Sequence, residues 1–150
     1  MTLQIILAAV SIGVVFAGWR VIYKNAQKIA TRNESFSLIR DANETLDRLR
    51  LEGVALWRMT DKDEINFYTK ITTNDIRILR NTITKLNGRN VHIDSKVLTP
   101  LRRALTLNNT KVVDQSIEGM SENISAVYKA TERFKAVILS SFEKNHPPLP

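Results

Sequence analysis

Few residues of this 150-residue chain have the types and spacing that catalysis requires. The two histidines, His92 and His146, do not form a metal-binding or catalytic spacing with other residues. His92 with Asp94 is the candidate pair for Asp or His chemistry. The chain has no cysteine, which excludes thiol catalysis and disulfides. The five glycines are isolated from one another, so none forms a phosphate-binding loop. We therefore predict no enzyme activity, cofactor or metal.

Helix capping explains the acidic group after residue 60. Thr60 is placed to accept hydrogen bonds from the first amides of a helix. The three acids Asp61, Asp63 and Glu64 would complement the positive end of that helix. A cation site needs more converging ligands than this group offers. We therefore predict a helix start here rather than a metal site.

The first structural element that the sequence predicts is an apolar N-terminal segment, which would position the rest of the chain. The first nineteen residues carry no charge. A helix from Leu3 to Trp19 would be about 26 Å long, and one extending to Tyr23 about 31 Å, close to the thickness of a bilayer core. This pattern predicts a transmembrane anchor over residues 1–23. A cleaved secretory signal and a buried helix of a soluble domain are the alternatives.

Basic residues follow the predicted anchor and none precedes it. Because the side richer in Lys and Arg stays cytoplasmic, we predict an outward N-terminus and a cytoplasmic C-terminal domain at the plasma (inner) membrane. Residues 24–35 are predicted as a basic juxtamembrane extension of the helix. Anionic lipid headgroups are the expected partners of the interfacial set Trp19, Arg20, Tyr23, Lys24, Lys28 and Arg32. Charge is nearly balanced further along, which disfavours nucleic-acid binding.

Small residues repeat every fourth position within the predicted anchor. Ala9, Gly13 and Ala17 would lie on one face of the helix, where they would let a second helix approach closely. This spacing predicts a packing face in the membrane, used either by another copy of the chain or by a partner protein.

The rest of the chain has helical periodicity. Residues 36–144 are predicted as an antiparallel, coiled-coil-like bundle of two long helices, a short linking helix and a long C-terminal helix. The predicted stripe of the first helix is Ile39, Ala42, Leu46, Leu49, Gly53 and Leu56, and that of the second is Ile65, Thr72, Ile76, Leu79, Ile83 and Leu86. Asn87-Gly88 would end the second helix. Asp94 is the predicted cap of the short linking helix, in which Pro100 either kinks the helix or opens it with Thr99 as its cap. Asn108-Asn109-Thr110 is predicted to form the next turn. The proline-rich tail, residues 145–150, is predicted to be disordered.

The C-terminal helix has the most regular stripe, with apolar positions alternating by four and three from Val113 to Ser141. Ile117, Ile124, Phe134 and Ile138 are its predicted contact residues. The pattern leaves open whether they pack within the chain or between chains. The fold class predicted is all-α, with a single transmembrane helix and a cytoplasmic bundle.

These features favour a membrane-anchored interaction or scaffold module. Such a module could be an accessory or regulatory subunit, including one of the exclusion or immunity type. It would bind another membrane or cytoplasmic protein, or itself as a homo-oligomer. An oligomerising effector that permeabilises the membrane is the alternative, although one short span offers little polar lining for a pore.

Overall fold

The computed structural model describes residues 2–106, 112 and 116–147, without the side chains of residues 2–6, 8 and 9. Over this part of the chain there are four α-helices, one short 3-10 helix and no strand. The helices are α1 (Thr2–Leu56), α2 (Lys62–Asn87), α3 (Leu98–Thr106) and α4 (Ile117–Asn145), with the 3-10 helix at Ser95–Val97. The prediction of an all-α fold with a helical bundle is confirmed.

The chain divides into two compact units, Met1–Glu34 and Ser35–Pro150. The boundary falls inside α1, after Glu34. The buried apolar cluster, from Ile39 to Phe142, lies in the second unit. The predicted turn at 108–110, the stripe residue Val113 and tail residues 148–150 lie outside the described residues.

The core of the second unit forms from the predicted stripes of α1 and α2. All six stripe positions of α1 are buried, as are five of the six on α2, with Ile76 half-buried. This outcome follows from the three- and four-residue spacing, which puts each stripe on one side of its helix. Trp57 closes the end of α1, where its indole Nε1 donates a hydrogen bond to the carbonyl of Ala104 in α3 at 2.9 Å.

Helices α1 and α4 pack antiparallel within this unit. Their contacts move backward along α4 as they move forward along α1. The contacting pairs, in order along α1, are Phe36 with Phe142, Asp47 with Lys135 and Arg50 with Glu132. The ring centroids of the first pair are 6.3 Å apart, and the ion-pair distances are 2.7 and 3.4 Å.

The beginning of α2 differs from the prediction by one residue. The N-cap is Asp61, not Thr60, and its carboxylate accepts hydrogen bonds from the amides of Asp63 and Glu64, both at 2.9 Å. A carboxylate at this position satisfies two amides and also complements the positive end of the helix. The hydroxyl of Thr60 is therefore not needed as a cap.

The end of α2 is at Asn87, as predicted, but the geometry is different from the glycine stop that Asn87-Gly88 suggests. Gly88 has a right-handed backbone conformation with φ of −66°, and the left-handed residue is Asn90, with φ of 66°. Asparagine tolerates this conformation better than most residues. The Asn87 side chain holds the returning loop, accepting from the amide of Ile93 at 2.7 Å and donating to its carbonyl at 3.2 Å.

The short linking helix begins as a 3-10 turn. Asp94 caps this turn through a hydrogen bond from the amide of Lys96 at 2.8 Å, as predicted. Helix α3 follows at Leu98, so Pro100 lies in its first turn, where a missing amide hydrogen has no cost. Of the two predicted alternatives, Pro100 therefore lies at the opening of the helix and does not kink it. The helix begins at Leu98, however, so Thr99 is a helical residue rather than its cap.

No helix within the described residues is both long enough and apolar enough to cross a membrane. These residues therefore give no support to the predicted transmembrane span, of which the side chains at 3–6, 8 and 9 lie outside the described part.

Candidate functional site

The most unusual surface of the first unit is the apolar segment, which we define as residues 7–23 of α1. Ten large apolar or aromatic side chains in it are each between 57% and 73% exposed. They are Leu7, Val10, Ile12, Val14, Val15, Phe16, Trp19, Val21, Ile22 and Tyr23. Because they include neighbours in sequence, they surround the helix rather than form one stripe. Contiguous exposure of this kind marks a surface that contacts another molecule or a membrane.

The polar hydroxyl inside the apolar segment is satisfied by the helix itself. Ser11 Oγ donates to the carbonyl of Leu7 at 2.9 Å. An internal bond of this kind removes the need for water or a partner side chain around Ser11. The apolar segment can therefore enter an apolar environment without leaving this hydroxyl unpaired.

The predicted small-residue face has no neighbour within the described chain. A Cβ atom added to Gly13 would meet no heavy atom within 4 Å, and the same is true of Gly18. Ala17 is exposed, and the side chain of Ala9 lies outside the described residues. Any close packing on this face must therefore come from a molecule other than the described part of this chain.

The predicted interfacial residues lie at and beyond the C-terminal end of the apolar segment. Trp19, Arg20, Tyr23, Lys24 and Lys28 are exposed, and Arg32 is half-buried. The four basic residues recur every fourth position along α1, so they form one slowly drifting line of positive charge. This arrangement can bind anionic groups next to an apolar surface.

The predicted contact residues of α4 divide into two groups. Phe134 and Ile138 are completely buried in the core of their own unit, and Ile124 packs partly against that core. Ile117, by contrast, is 83% exposed at the first position of α4. Within the described residues, the most regular stripe of the sequence is thus used largely within the chain, and Ile117 in the first turn of α4 is exposed to other molecules.

The candidate catalytic pair has structural roles. His92 is exposed, and its backbone carbonyl accepts a hydrogen bond from Ser141 Oγ at 2.6 Å. The Asp94 carboxylate caps the 3-10 turn. Among the described residues, no group of three or more His, Cys, Asp or Glu side chains could hold a metal ion.

A charged cluster between α1 and α2 was not predicted from the sequence. Asp75 is only 4% exposed and accepts a hydrogen bond from Nε of Arg48, whose side chain is half-exposed. Glu52 lies one helical turn after Arg48, and its Oε2 atom is buried without a hydrogen-bond partner among the described residues. The sequence did contain a signal for the burial of Asp75. This residue falls three positions after Thr72 and four before Leu79, on the core side of α2.

Two carboxylates of the second unit have shifted pKa values in opposite directions. Burial raises the pKa of Glu52, the charge of Asp75 raises it further, and Arg48 partly opposes both. The hydrogen bond from Lys135 lowers the pKa of Asp47, against a smaller effect of burial and with help from the charges of Lys135 and Arg50. Similarly, the hydrogen bond to Asp75 raises the pKa of Arg48. These shifts follow from structural pairing between helices rather than from a catalytic cleft.

Comparison with protein-family models, curated proteins and solved structures gave no match. The class of this protein therefore follows from its fold and surface alone. It is an all-α protein whose second unit is a helical bundle with its own core, and whose first unit exposes an apolar helical surface.

Proposed function

We propose that this protein is a membrane-anchored, non-enzymatic interaction module. The apolar segment and the line of basic residues after it would hold the chain at the inner face of the plasma membrane. The bundle would be displayed in the cytoplasm as an accessory or regulatory subunit. The observation that carries this proposal is the exposure of ten large apolar side chains around α1.

The magnitude of that exposure supports a lipid environment. Moving one Val, Leu, Ile or Phe side chain out of water is worth roughly 1.5–3 kcal/mol, so the eight side chains of these types in the apolar segment represent a large unfavourable exposure in solution. A single partner helix would cover only one side of the apolar segment. Lipid would cover all sides, while the basic residues that follow could contact anionic headgroups.

The non-enzymatic part of the proposal has separate support. Asp94 is engaged as a cap, and His92 is exposed and accepts a hydrogen bond from Ser141 Oγ through its backbone carbonyl, so both residues have structural contacts. The shifted groups Glu52 and Asp47 belong to interhelical contacts. An interaction role requires only that the bundle be stable and that the anchor concentrate it at one surface.

Membrane fractionation tests the anchoring. We expect the full chain to sediment with membranes, to remain there after alkaline extraction, and to be released by detergent. A variant in which Val14 and Phe16 are replaced by Asp should move to the soluble fraction. Wild-type protein that stays in the supernatant without detergent would contradict the proposal.

The absence of cysteine makes the orientation directly measurable. Ser121 is exposed on α4, so a Ser121→Cys variant should be protected from a membrane-impermeant thiol reagent in intact cells and labelled after lysis. Labelling in intact cells would place the bundle on the outer side and contradict the cytoplasmic assignment.

Self-association through the small-residue face is tested by Gly13→Ile, with Gly18→Ile as the matched control. Both glycines have open space around them, but five residues of helix separate their directions by roughly 140°. We expect Gly13→Ile to reduce crosslinked oligomers in detergent and Gly18→Ile to leave them. Equal crosslinking in the two variants would exclude this face as the contact.

A further inference from the structure

A cleft in the second unit is lined by positively charged side chains, with no carboxylate among the lining residues that the structure describes. It lies between α2, the 3-10 turn and α3, and has a volume of about 460 Å³. Its polar lining consists of three arginines and three hydroxyl residues: Arg80, Arg102, Arg103, Ser95, Thr99 and Thr106. We name it the arginine cleft. Among the described residues, none that lines it is acidic.

The arginines of this cleft differ from the two arginines that link helices of the bundle. Arg48 and Arg50 form ion pairs with acidic residues across helices. Arg80, Arg102 and Arg103 form no ion pair within the described part of the chain. Three guanidinium groups around one cleft repel each other, and this repulsion disfavours the empty site. A bound anion would reverse the sign of that interaction.

The charge around α3 extends beyond one cleft. On the other side of this helix, a second cleft of about 400 Å³ is lined by Arg103 together with Lys129 and Arg133. The described lining of this second cleft also contains no acidic residue. Arg103 is therefore shared by two positively charged surfaces, and the potential at the arginine cleft is raised from both sides of α3.

The side chains suit phosphate better than a simple carboxylate. Guanidinium groups donate in a planar fork that matches pairs of phosphate oxygens, and several of them can bind the separate oxygens of one group. Within the described residues, the hydroxyls of Ser95 and Thr99 make no hydrogen bond, so they remain available as donors. The volume falls within the range of small-molecule sites.

We propose that the arginine cleft binds the phosphate group of a small anionic ligand, with Arg80, Arg102 and Arg103 as the charged contacts. The same chemistry is available from a soluble phosphorylated compound and from the headgroup of an anionic lipid. The proposal does not depend on the membrane anchoring argued above, because it concerns the second unit alone.

Isothermal titration calorimetry of inorganic pyrophosphate into the full chain, held in neutral detergent at about 0.15 M salt, tests the site. We expect saturable binding that weakens by about tenfold or more in the Arg102→Ala/Arg103→Ala variant. Arg77→Ala is the matched control, since Arg77 lies on α2 outside the cleft lining and its Nη2 contacts Asn74 at 2.8 Å. This control should retain the wild-type affinity within about twofold.

A second variant keeps the test decisive if the double variant fails to fold, as judged by circular dichroism. Arg80→Ala changes the cleft from α2 instead of α3 and should also weaken binding several-fold. Absence of saturable binding to wild-type protein would overturn the proposal, as would an equal loss of affinity in Arg77→Ala.

The two sources of phosphate are separated by adding phosphatidylglycerol to the detergent micelles. If the lipid displaces pyrophosphate, the cleft accepts a lipid headgroup. If pyrophosphate binding is unchanged, the ligand is a soluble phosphate compound. Failure of the membrane fractionation would leave this measurement interpretable, because the titration does not require insertion into a bilayer.

Discussion

Individual side chains show where the bundle departs from a purely apolar core. Asp75 is buried on the core side of α2, and its charge is compensated by Arg48 from α1. Glu52 lies close enough to both to feel their charges, yet its buried Oε2 atom has no hydrogen-bond partner among the described residues. A carboxylate in this position is destabilising in its charged form, because burial and a neighbouring negative charge both oppose ionisation.

Glu52→Gln should therefore raise the melting temperature at neutral pH, by an amount equivalent to about 0.5 kcal/mol after screening by solvent. The pKa of Glu52 is raised in the folded state above its ordinary value of 4.5. The unfavourable contribution is thus absent below the unfolded pKa and complete above the folded pKa. The advantage of the variant should disappear in thermal melts as the pH falls through that range. Glu122→Gln, at an exposed position of α4, should change stability little at either pH.

At Gly53, α1 lies close against side chains of α3 and α4. A Cβ atom there would overlap Leu105 Cδ2 and lie 3.1 Å from Val127 Cγ1. Gly53→Ala should lower stability by about 1–2 kcal/mol, since overpacking outweighs the gain in helix propensity. Gly119→Ala is the control, because its added Cβ would meet only Ser116 Oγ at 3.4 Å. Chemical denaturation of both variants measures the difference, and equal stability would show that the core adjusts to the methyl group.

Two kinds of contact join the helices of the bundle, apolar and polar. Apolar stripes hold α1, α2 and α4 together, and polar contacts select their register. Asp47 accepts a hydrogen bond from Lys135 at 2.7 Å, and Arg50 contacts Glu132 and lies 5.6 Å from the ring centroid of Tyr128. Because these contacts occupy successive turns of α1, a shift of α4 by one turn would break all of them together.

A double-mutant cycle of Asp47→Asn and Lys135→Met should give a coupling of about 0.5–1 kcal/mol that decreases with added salt. The pKa of Asp47 is lowered from 3.8, so its contribution is present above the unfolded pKa and is lost as the pH falls through the folded pKa. The control is the exposed pair Arg40–Glu44 within α1, 3.9 Å apart, whose coupling should be about 0.3 kcal/mol. Equal couplings for the two pairs would show that the contact between helices contributes no more to stability than an exposed pair within one helix.

The start of α2 offers a direct test of the capping assignment. Asp61→Ala should reduce stability by about 1 kcal/mol, because two amides lose their acceptor. Thr60→Ala should have little effect, although the sequence pattern first suggests that residue as the cap. Thermal denaturation of the two variants distinguishes them, and a larger loss at Thr60 would show the structural assignment to be wrong.

At the level of the whole molecule, we expect the two units to determine different properties, with the second unit determining stability and the first determining localisation. The second unit has its own buried cluster, from Ile39 to Phe142. The first unit is a helix whose described apolar side chains are exposed. Stability of the bundle should therefore not depend on the apolar segment, whereas localisation should depend on it.

A fragment comprising residues 35–150 should be soluble without detergent, helical by circular dichroism and cooperative in thermal unfolding. The full chain should have the same unfolding transition in detergent. A fragment that aggregates or unfolds without cooperativity would show that the bundle needs residues 1–34 for its stability.

The local pattern was sufficient to predict much of this molecule. The stripe of α1 from Ile39 to Leu56 is buried at each predicted position, and Asp94 caps the 3-10 turn as expected. These features depend on residues within a few positions of each other, whose relation follows from the geometry of a single helix. The same reasoning identified the exposed apolar and basic residues of the first unit as candidates for membrane contact.

The contacts between helices could not be predicted from local sequence patterns. Arg48 and Asp75 are 27 positions apart and Asp47 and Lys135 are 88 apart, and no periodicity links them. The arginine cleft likewise exists because α3 packs beside Arg80 of α2. Which faces meet depends on the packing of all the helices at once, so the assignment of Phe134 and Ile138 to an internal core, and of Arg102 and Arg103 to a shared cleft, required the folded arrangement.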